Sequence, residues 1–435
     1  MTAIIKLSYP RRIKMVPGFA TKLSPSFRLV STYFISAIIS LIAVSIMMVV
    51  SYEEVSGHHF SPKLLAITHL TILGWIALTI FGAIFQLISI ILKVKVHSEK
   101  LAFAQYGFHV AGLIILVYSF WVFSFGKLMI TGGALIVFSI FLFLINIMIT
   151  LSKRKKNNLT GIFLMASNIH LFFVVILGLL LAINLAFPFI PGDHLSLLTV
   201  HAHIGIAGWI GLVIAGVSLK LIPMFTLSHG FSVKPAWGVF VLVNSGVVGF
   251  SIFRILGLGT VGDYIFIPML ALGFLLFFYQ IMLIIKKRMK KNIDLGIKFS
   301  LFAYTSLLIT VLIAVASLFI NNETLGKINL PVLYGFILIF GFITQLILGQ
   351  MYKIIPFLIW FHYYSAQVGL KEVPLLKDLY NRNLSKTQYY ITNFSILVIV
   401  VAILFNFPVV VLTGFSLYLV GILLFSYNIL SIYKR

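Results

Sequence analysis

The chain has 435 residues, no cysteine, a net charge of +23, and 61% hydrophobic against 9% charged residues, with a mean hydropathy of +1.13. Apolar runs longer than the roughly 20 residues that cross a bilayer recur throughout, which makes this an integral membrane protein rather than a soluble domain. The lack of cysteine excludes disulfides, thiolate metal sites and catalytic thiols.

Hydropathy predicts an all-α membrane protein of about twelve transmembrane helices, near 27–50, 64–92, 103–123, 126–150, 161–187, 197–223, 235–256, 262–286, 296–320, 331–360, 388–406 and 408–432. The first run is long enough to span and no small-residue cleavage site follows it, so no cleavable signal peptide is expected. The longest loop, about 361–387, is too short to be a domain.

The basic residues cluster in the N-terminal tail (Arg11, Arg12, Lys14, Lys22), in 93–100, in KRKK at 153–156, in KKRMKK at 286–291 and at Lys434 and Arg435. These segments fall on every second side of the twelve-span arrangement. The other side carries Glu53, Glu54, Asp193, Asp263 and Glu323 against Lys63, Lys127, Arg254 and Lys327. That alternation is the positive-inside pattern, so the expectation is a multi-pass protein of the cell's inner (plasma) membrane with both termini cytoplasmic. The basic excess is a topology signal facing lipid headgroups, not a nucleic-acid patch.

Residues 69–88 and 203–222 read almost as copies, HLTILGWIALTIFGAIFQLI and HIGIAGWIGLVIAGVSLKLI, with ten of twenty positions identical. His69 and His203 are 134 residues apart, and Gly208, Gly216, Lys220 and Pro223 recur as Gly341, Gly349, Lys353 and Pro356 after 133. A period this long implies three pseudo-repeats of four helices, roughly 27–150, 161–286 and 296–432, inside one transmembrane domain spanning 1–435. The glycines eight apart in each copy are expected to be packing notches on one helix face.

Of eleven histidines, His58, His59 and His194 fall in loops on the outer side, and His97, His229 and His362 at the cytoplasmic boundary. Interfacial rings account for those six. His69, His201 and His203 differ, because they lie about one to two turns inside the outer ends of helices 2 and 6, where an unpaired polar ring is costly. A buried neutral imidazole needs a partner, and a metal or heme iron is the commonest strong one. Two helical steps set His201 and His203 about 200° apart, so they face different clefts; the expected pair is His69 with His201. His170, near mid-membrane beside Asn168, is a further candidate ligand, and His109 is open between structural and functional roles. Arg254, at the depth of the imidazoles, is a candidate partner for heme propionates or an interfacial anchor, and Lys220 and Lys353 are expected to snorkel. GLGTVG at 257–262 spells the dinucleotide fingerprint but lies between two hydrophobic helices, so it is a chance match. All nine acidic residues lie in loops or at helix ends, which leaves no mid-membrane carboxylate for a proton relay.

The segment HAHIGIAGWIGLVIAGVSLKLIPMF resembles the tenth helix of heme–copper oxidase subunit I, with its HxH pair, following glycine and late proline. About twelve spans, three arcs of four helices and a histidine near the outer end of helix 2 are similar to that family too. In size and histidine style the chain is also similar to NnrS-type heme and copper membrane proteins linked to nitric oxide tolerance. The oxidases keep HxH on helix 10, where this chain has Tyr334 and Phe336. The histidine–proline–glutamate run and the double histidine of their copper site are missing as well.

The resemblance implies at least one heme b, held by His69, His201 and His203, while copper lacks a recognisable ligand set. The leading expectation is a heme-binding relative of oxidase subunit I that serves respiratory electron transfer or NO/O2 binding, with a cytochrome or quinol as electron partner. The alternatives are a terminal oxidase or nitric oxide reductase catalytic subunit, and a small-solute transporter with a histidine-lined pathway.

Overall fold

The computed structural model describes residues 23–91, 93–154, 158–191, 193–320 and 329–434. Arg11, Arg12, Lys14, Lys22, Lys155, Lys156, Glu323, Lys327 and Arg435 lie outside the described residues. Among the described residues there is no β-strand, and 12 helices are long and apolar enough to cross a membrane. They are α1 (Phe27–Val50), α2 (Pro62–Ser89), α3 (Glu99–Trp121), α4 (Lys127–Ser152), α5 (Leu159–Ala186), α6 (His194–Thr226), α7 (Lys234–Ile255), α8 (Val261–Lys286), α9 (Leu295–Ala316), α10 (Leu330–Tyr363), α11 (Arg382–Leu404) and α12 (Pro408–Lys434).

Helix starts follow local chemistry. Ser26, Ser61, Ser98, Asn158, Asp193, Asp294 and Asn381 each accept a first-turn backbone N–H through the side chain, which satisfies donors that hydrocarbon would leave bare. Pro62 and Pro408 open their helices, where the missing N–H costs nothing.

Consecutive helices pack antiparallel, α3 on α4, α7 on α8 and α11 on α12, and α12 closes onto α1. The apolar stretches of α2, α6 and α10 are 67%, 72% and 83% buried, against at most 50% for the other helices. These three therefore form the interior, and each leans on the helix before it. Close approach is set by their glycines. A Cβ on Gly82 would lie 2.9 Å from Cβ of Tyr33, on Gly216 2.5 Å from Cβ of Phe163, and on Gly349 2.6 Å from Cβ of Phe299. The second glycine of each helix meets Ser40, His170 and Ser306 respectively. The six glycines are the notches that let α1–α2, α5–α6 and α9–α10 come together.

The interior helices share an irregularity that hydropathy does not reveal. Each widens into a π segment, Leu70–Ala77, Ile204–Gly211 and Ile337–Thr344. The segments begin directly after His69, His203 and Phe336. Such wide turns shift the register of the side chains that follow and frequently accompany functional sites.

A candidate imidazole site in α2 and α6

The start of α1 and the end of α12 lie at one end of the bundle, where the rings of Phe27 and Tyr433 are 6.1 Å apart, and the starts of α2 and α6 lie at the other, the distal end. His69 sits in the second turn of α2. Its Nδ1 is 2.8 Å from the carbonyl of Leu65, and a carbonyl only accepts, so the neutral ring carries its proton on Nδ1 and keeps a lone pair on Nε2. His203 repeats this arrangement on α6, with Nδ1 2.8 Å from the carbonyl of Thr199. Each ring is covered by a phenylalanine from the next helix. His69 lies 4.7 Å from the ring of Phe120, and His203 lies 4.4 Å from that of Phe250. A histidine with Nδ1 tied to a backbone oxygen and Nε2 unused is the form in which imidazole binds a metal.

His201 faces the other way, toward α5. A Cβ on Gly178 would lie 2.8 Å from its Cε1, so the ring occupies a slot that only glycine leaves open. The Val174 carbonyl lies beside the ring, and His69 is near enough for the two imidazoles to interact electrostatically. Nδ1 of His201 is buried with no hydrogen-bond partner, a costly state unless another group satisfies it. His69 and His201 are thus within electrostatic range of each other, His69 against Phe120 of α3 and His201 against Gly178 of α5, while His203 is turned toward α7.

The surroundings of His203 are charged. Arg254 grips Asp263 by two contacts, Nε to Oδ1 at 3.1 Å and Nη2 to Oδ2, and its guanidinium lies 5.5 Å from the ring centre of Phe250. Arg254 therefore has a protein partner at the α7–α8 turn. Both members of the pair lie within electrostatic range of His203. Gly257 and Gly259 of the GLGTVG run have positive φ and make this helix-to-helix turn, which no strand precedes.

His170 stands apart from these three rings. Its Nε2 is 3.0 Å from Oδ1 of Asn244, whose Nδ2 donates to the Phe240 carbonyl, so His170 carries its proton on Nε2. The remaining nitrogen is pressed toward Gly208, where a Cβ would be 2.8 Å away. These contacts brace α5 against α6 and α7. His109 is satisfied on both sides, by Oγ of Ser139 at 3.1 Å and by the Leu73 carbonyl, inside the first π segment, at 3.0 Å. Asn168 has neither amide atom partnered. Lys353 does not simply reach for the interface: it pairs with Asp294, which also holds Lys290 at 2.8 Å.

Among the described residues no three His, Cys, Asp or Glu side chains gather as a metal-ion site. A porphyrin iron needs only one or two imidazoles. The unused Nε2 atoms of His69 and His203 and the partnerless Nδ1 of His201 fit that demand. Gly178, Phe120, Phe250 and Asp263 escaped the sequence reading. Of these only Asp263, an acidic residue nine positions after Arg254 at a helix start, carried a visible signal. No protein-family model matches the chain, and no curated protein is significantly similar to it.

Proposed function

We propose that this protein is a heme-binding membrane protein of the heme–copper oxidase subunit I type, built as a threefold pseudo-repeat of four helices. Support for the repeat comes from the π segments, which begin at residues 70, 204 and 337, the same spacing as the sequence copies. The observation that carries the functional reading is the set of three imidazoles at the distal ends of α2 and α6, each with a ring nitrogen unused by protein. Of these nitrogens only Nδ1 of His201 is a buried atom without a partner, a state that costs roughly 1–3 kcal/mol, while His69 and His203 are half-buried.

His69 and His201 would hold the iron of one heme b, and His203 would serve a neighbouring cleft. A bound heme would supply a one-electron iron couple or a binding site for NO or O2. The protein's own contribution is legible in its residues. Leu65 and Thr199 fix the proton on Nδ1, Phe120 and Phe250 shield the rings from water, and Gly178 leaves room for His201. Electron transfer or gas binding in the inner membrane, with a cytochrome or quinol as partner, is the activity these features suit.

The test is optical. Full-length protein purified in detergent after expression with ample heme should show a Soret band that shifts on dithionite reduction. His69→Ala and His201→Ala should each abolish or shift it. A colourless, iron-free protein, or two variants with the wild-type spectrum, overturns the proposal. A second reading, a solute transporter, has no comparable observation in its favour.

A further inference from the structure

The helix pairs α3–α4, α7–α8 and α11–α12 all turn at the distal end, and they do so through the same backbone step. Phe123, Gly257 and Asn406 take left-handed φ values of 57°, 64° and 51°. In each turn the next N–H reaches back five positions, Ser124 to the Ser119 carbonyl at 2.8 Å, Leu258 to Phe253 at 3.0 Å and Phe407 to Ala402 at 2.9 Å. This closure satisfies carbonyls that the last turn of a helix leaves free. Phe123 and Gly257 stand at the same interval as His69 and His203.

The turns are apolar. They read VFSFG at 122–126, LGLGT at 256–260 and FNF at 405–407, without a charged residue. Phe123, Leu256 and Phe405 are each 64% exposed. Charge appears only beside them, on Lys127, whose stem can snorkel, and on Arg254 and Asp263, which neutralise each other. At the opposite end the α8–α9 turn carries KKRMKK at 286–291.

Apolar surface left in water forgoes about 25 cal/mol per Å², and a bulky residue at left-handed φ is disfavoured where glycine would be free. Phe123 carries both costs, and packing within the chain repays neither. The exposed apolar surface also continues along the same helices, through Ile114 and Tyr118 of α3, Val248 and Ile252 of α7, and Leu397 and Val401 of α11. The turns are therefore continuous with the flanks that face lipid in a membrane-spanning bundle. Turn backbone survives in lipid only if its polar groups are paired, and the shared closure supplies that pairing. A bilayer meets all three helix pairs at once, whatever their spacing.

From this we infer that the three distal turns lie among the acyl chains of one bilayer leaflet, while the polar segment 51–61 between α1 and α2 stands in water. None of this rests on the heme reading. It does bear on the imidazole site, because Phe120, which covers His69, lies 6.2 Å from Phe125, and Phe125 lies 4.7 Å from Phe123. With the turn in lipid, that cover borders hydrocarbon.

The chain has no cysteine, so Phe123→Cys, Leu256→Cys and Phe405→Cys can each carry a single bimane label, with Glu53→Cys as the water-side reference. The full-length variants are labelled in detergent, checked for a single gel-filtration peak and reconstituted in phosphatidylcholine nanodiscs. Doxyl-labelled lipid should cause a loss of fluorescence at the three turns that aqueous iodide does not, and Glu53→Cys should show the reverse. Iodide quenching of the turns as strong as that of Glu53→Cys overturns the inference and leaves them in water for a protein partner. Turn labels that neither quencher reaches also overturn it, since a second copy of the chain then covers them.

Discussion

The ring of His201 fills the space that a side chain on Gly178 would need, with only 2.8 Å between the position of a Cβ there and Cε1 of the ring. Gly178→Ala should therefore push the imidazole out of its slot in α5. If His201 is an iron ligand, the variant purifies with several-fold less heme or with a shifted Soret band while keeping its helical content. Heme-to-protein ratio and the visible spectrum measure this. A wild-type spectrum from Gly178→Ala would remove His201 from the ligand set.

What the sequence made legible, and what it hid, follows from the range of each interaction. Helices were visible because an apolar run must satisfy its own backbone, and the polar caps Asn158, Asp193, Asp294 and Asn381 mark where hydropathy falls. The divergence of His201 and His203 follows from two steps of one helix, and the structure turns them toward α5 and α7. Contacts between helices left no such trace. The fit of His201 against Gly178, the bond of His170 to Asn244 and the bond of His109 to the Leu73 carbonyl each join residues at least 23 positions apart. The π segments were silent as well, because widening a turn leaves composition unchanged.

Arg254 and Asp263 are nine positions apart, with side chains 28% and 12% exposed, so their pairing is only partly screened. Removing one partner leaves a poorly hydrated charge behind. Asp263→Leu or Arg254→Leu alone should lower stability by about 1–3 kcal/mol, and replacing both residues by leucine should recover part of that loss. Thermal unfolding of the four proteins in the same detergent checks it. Additive losses would mean that the pair is not coupled.

The interior glycines are expected to be intolerant in proportion to the gap they close. A Cβ on Gly216 would lie 2.5 Å from Cβ of Phe163, whereas nothing lies within 4 Å of one on Gly107. Gly216→Ala must separate α5 from α6 and should cost about 1–3 kcal/mol. Gly107→Ala, on an exposed face of α3, should leave stability unchanged or raise it by up to about 1 kcal/mol. Melting midpoints measured side by side give the contrast, and equal midpoints would deny the notch its role.

Asp294 caps α9 and ties it to α10 through Lys353. Burial alone would push its carboxyl up, but hydrogen bonds and charge from Lys290 and Lys353 outweigh this and hold it below the usual carboxylate range. A carboxylate depressed by folding contributes stability that is full above its unfolded pKa and is lost as pH falls through the folded one. The wild-type melting midpoint should thus fall on acidification below about pH 4. Asp294→Asn should melt lower at neutral pH and show a flatter acid limb. A variant limb as steep as the wild type's would assign the acid sensitivity to other groups.

His109 and His69 are both histidines of the bundle interior, yet their bonding separates them. His109 has no exposed surface and spends both nitrogens on protein, one on Ser139 and one on the Leu73 carbonyl. Replacing it by leucine strands that carbonyl and the hydroxyl in an apolar interior, a loss of about 2–4 kcal/mol for two groups. The effect falls on stability, because no lone pair of His109 is left for a ligand. His69 spends one nitrogen on Leu65 and keeps the other, so His69→Leu strands at most one backbone carbonyl near the helix end. Its effect should fall on the heme spectrum, with a smaller loss of stability. Measuring melting midpoint and Soret band on both variants gives opposite patterns if the bonding sets the roles. Loss of pigment in His109→Leu at unchanged stability would reverse the assignment and move the candidate iron ligand from His69 to His109.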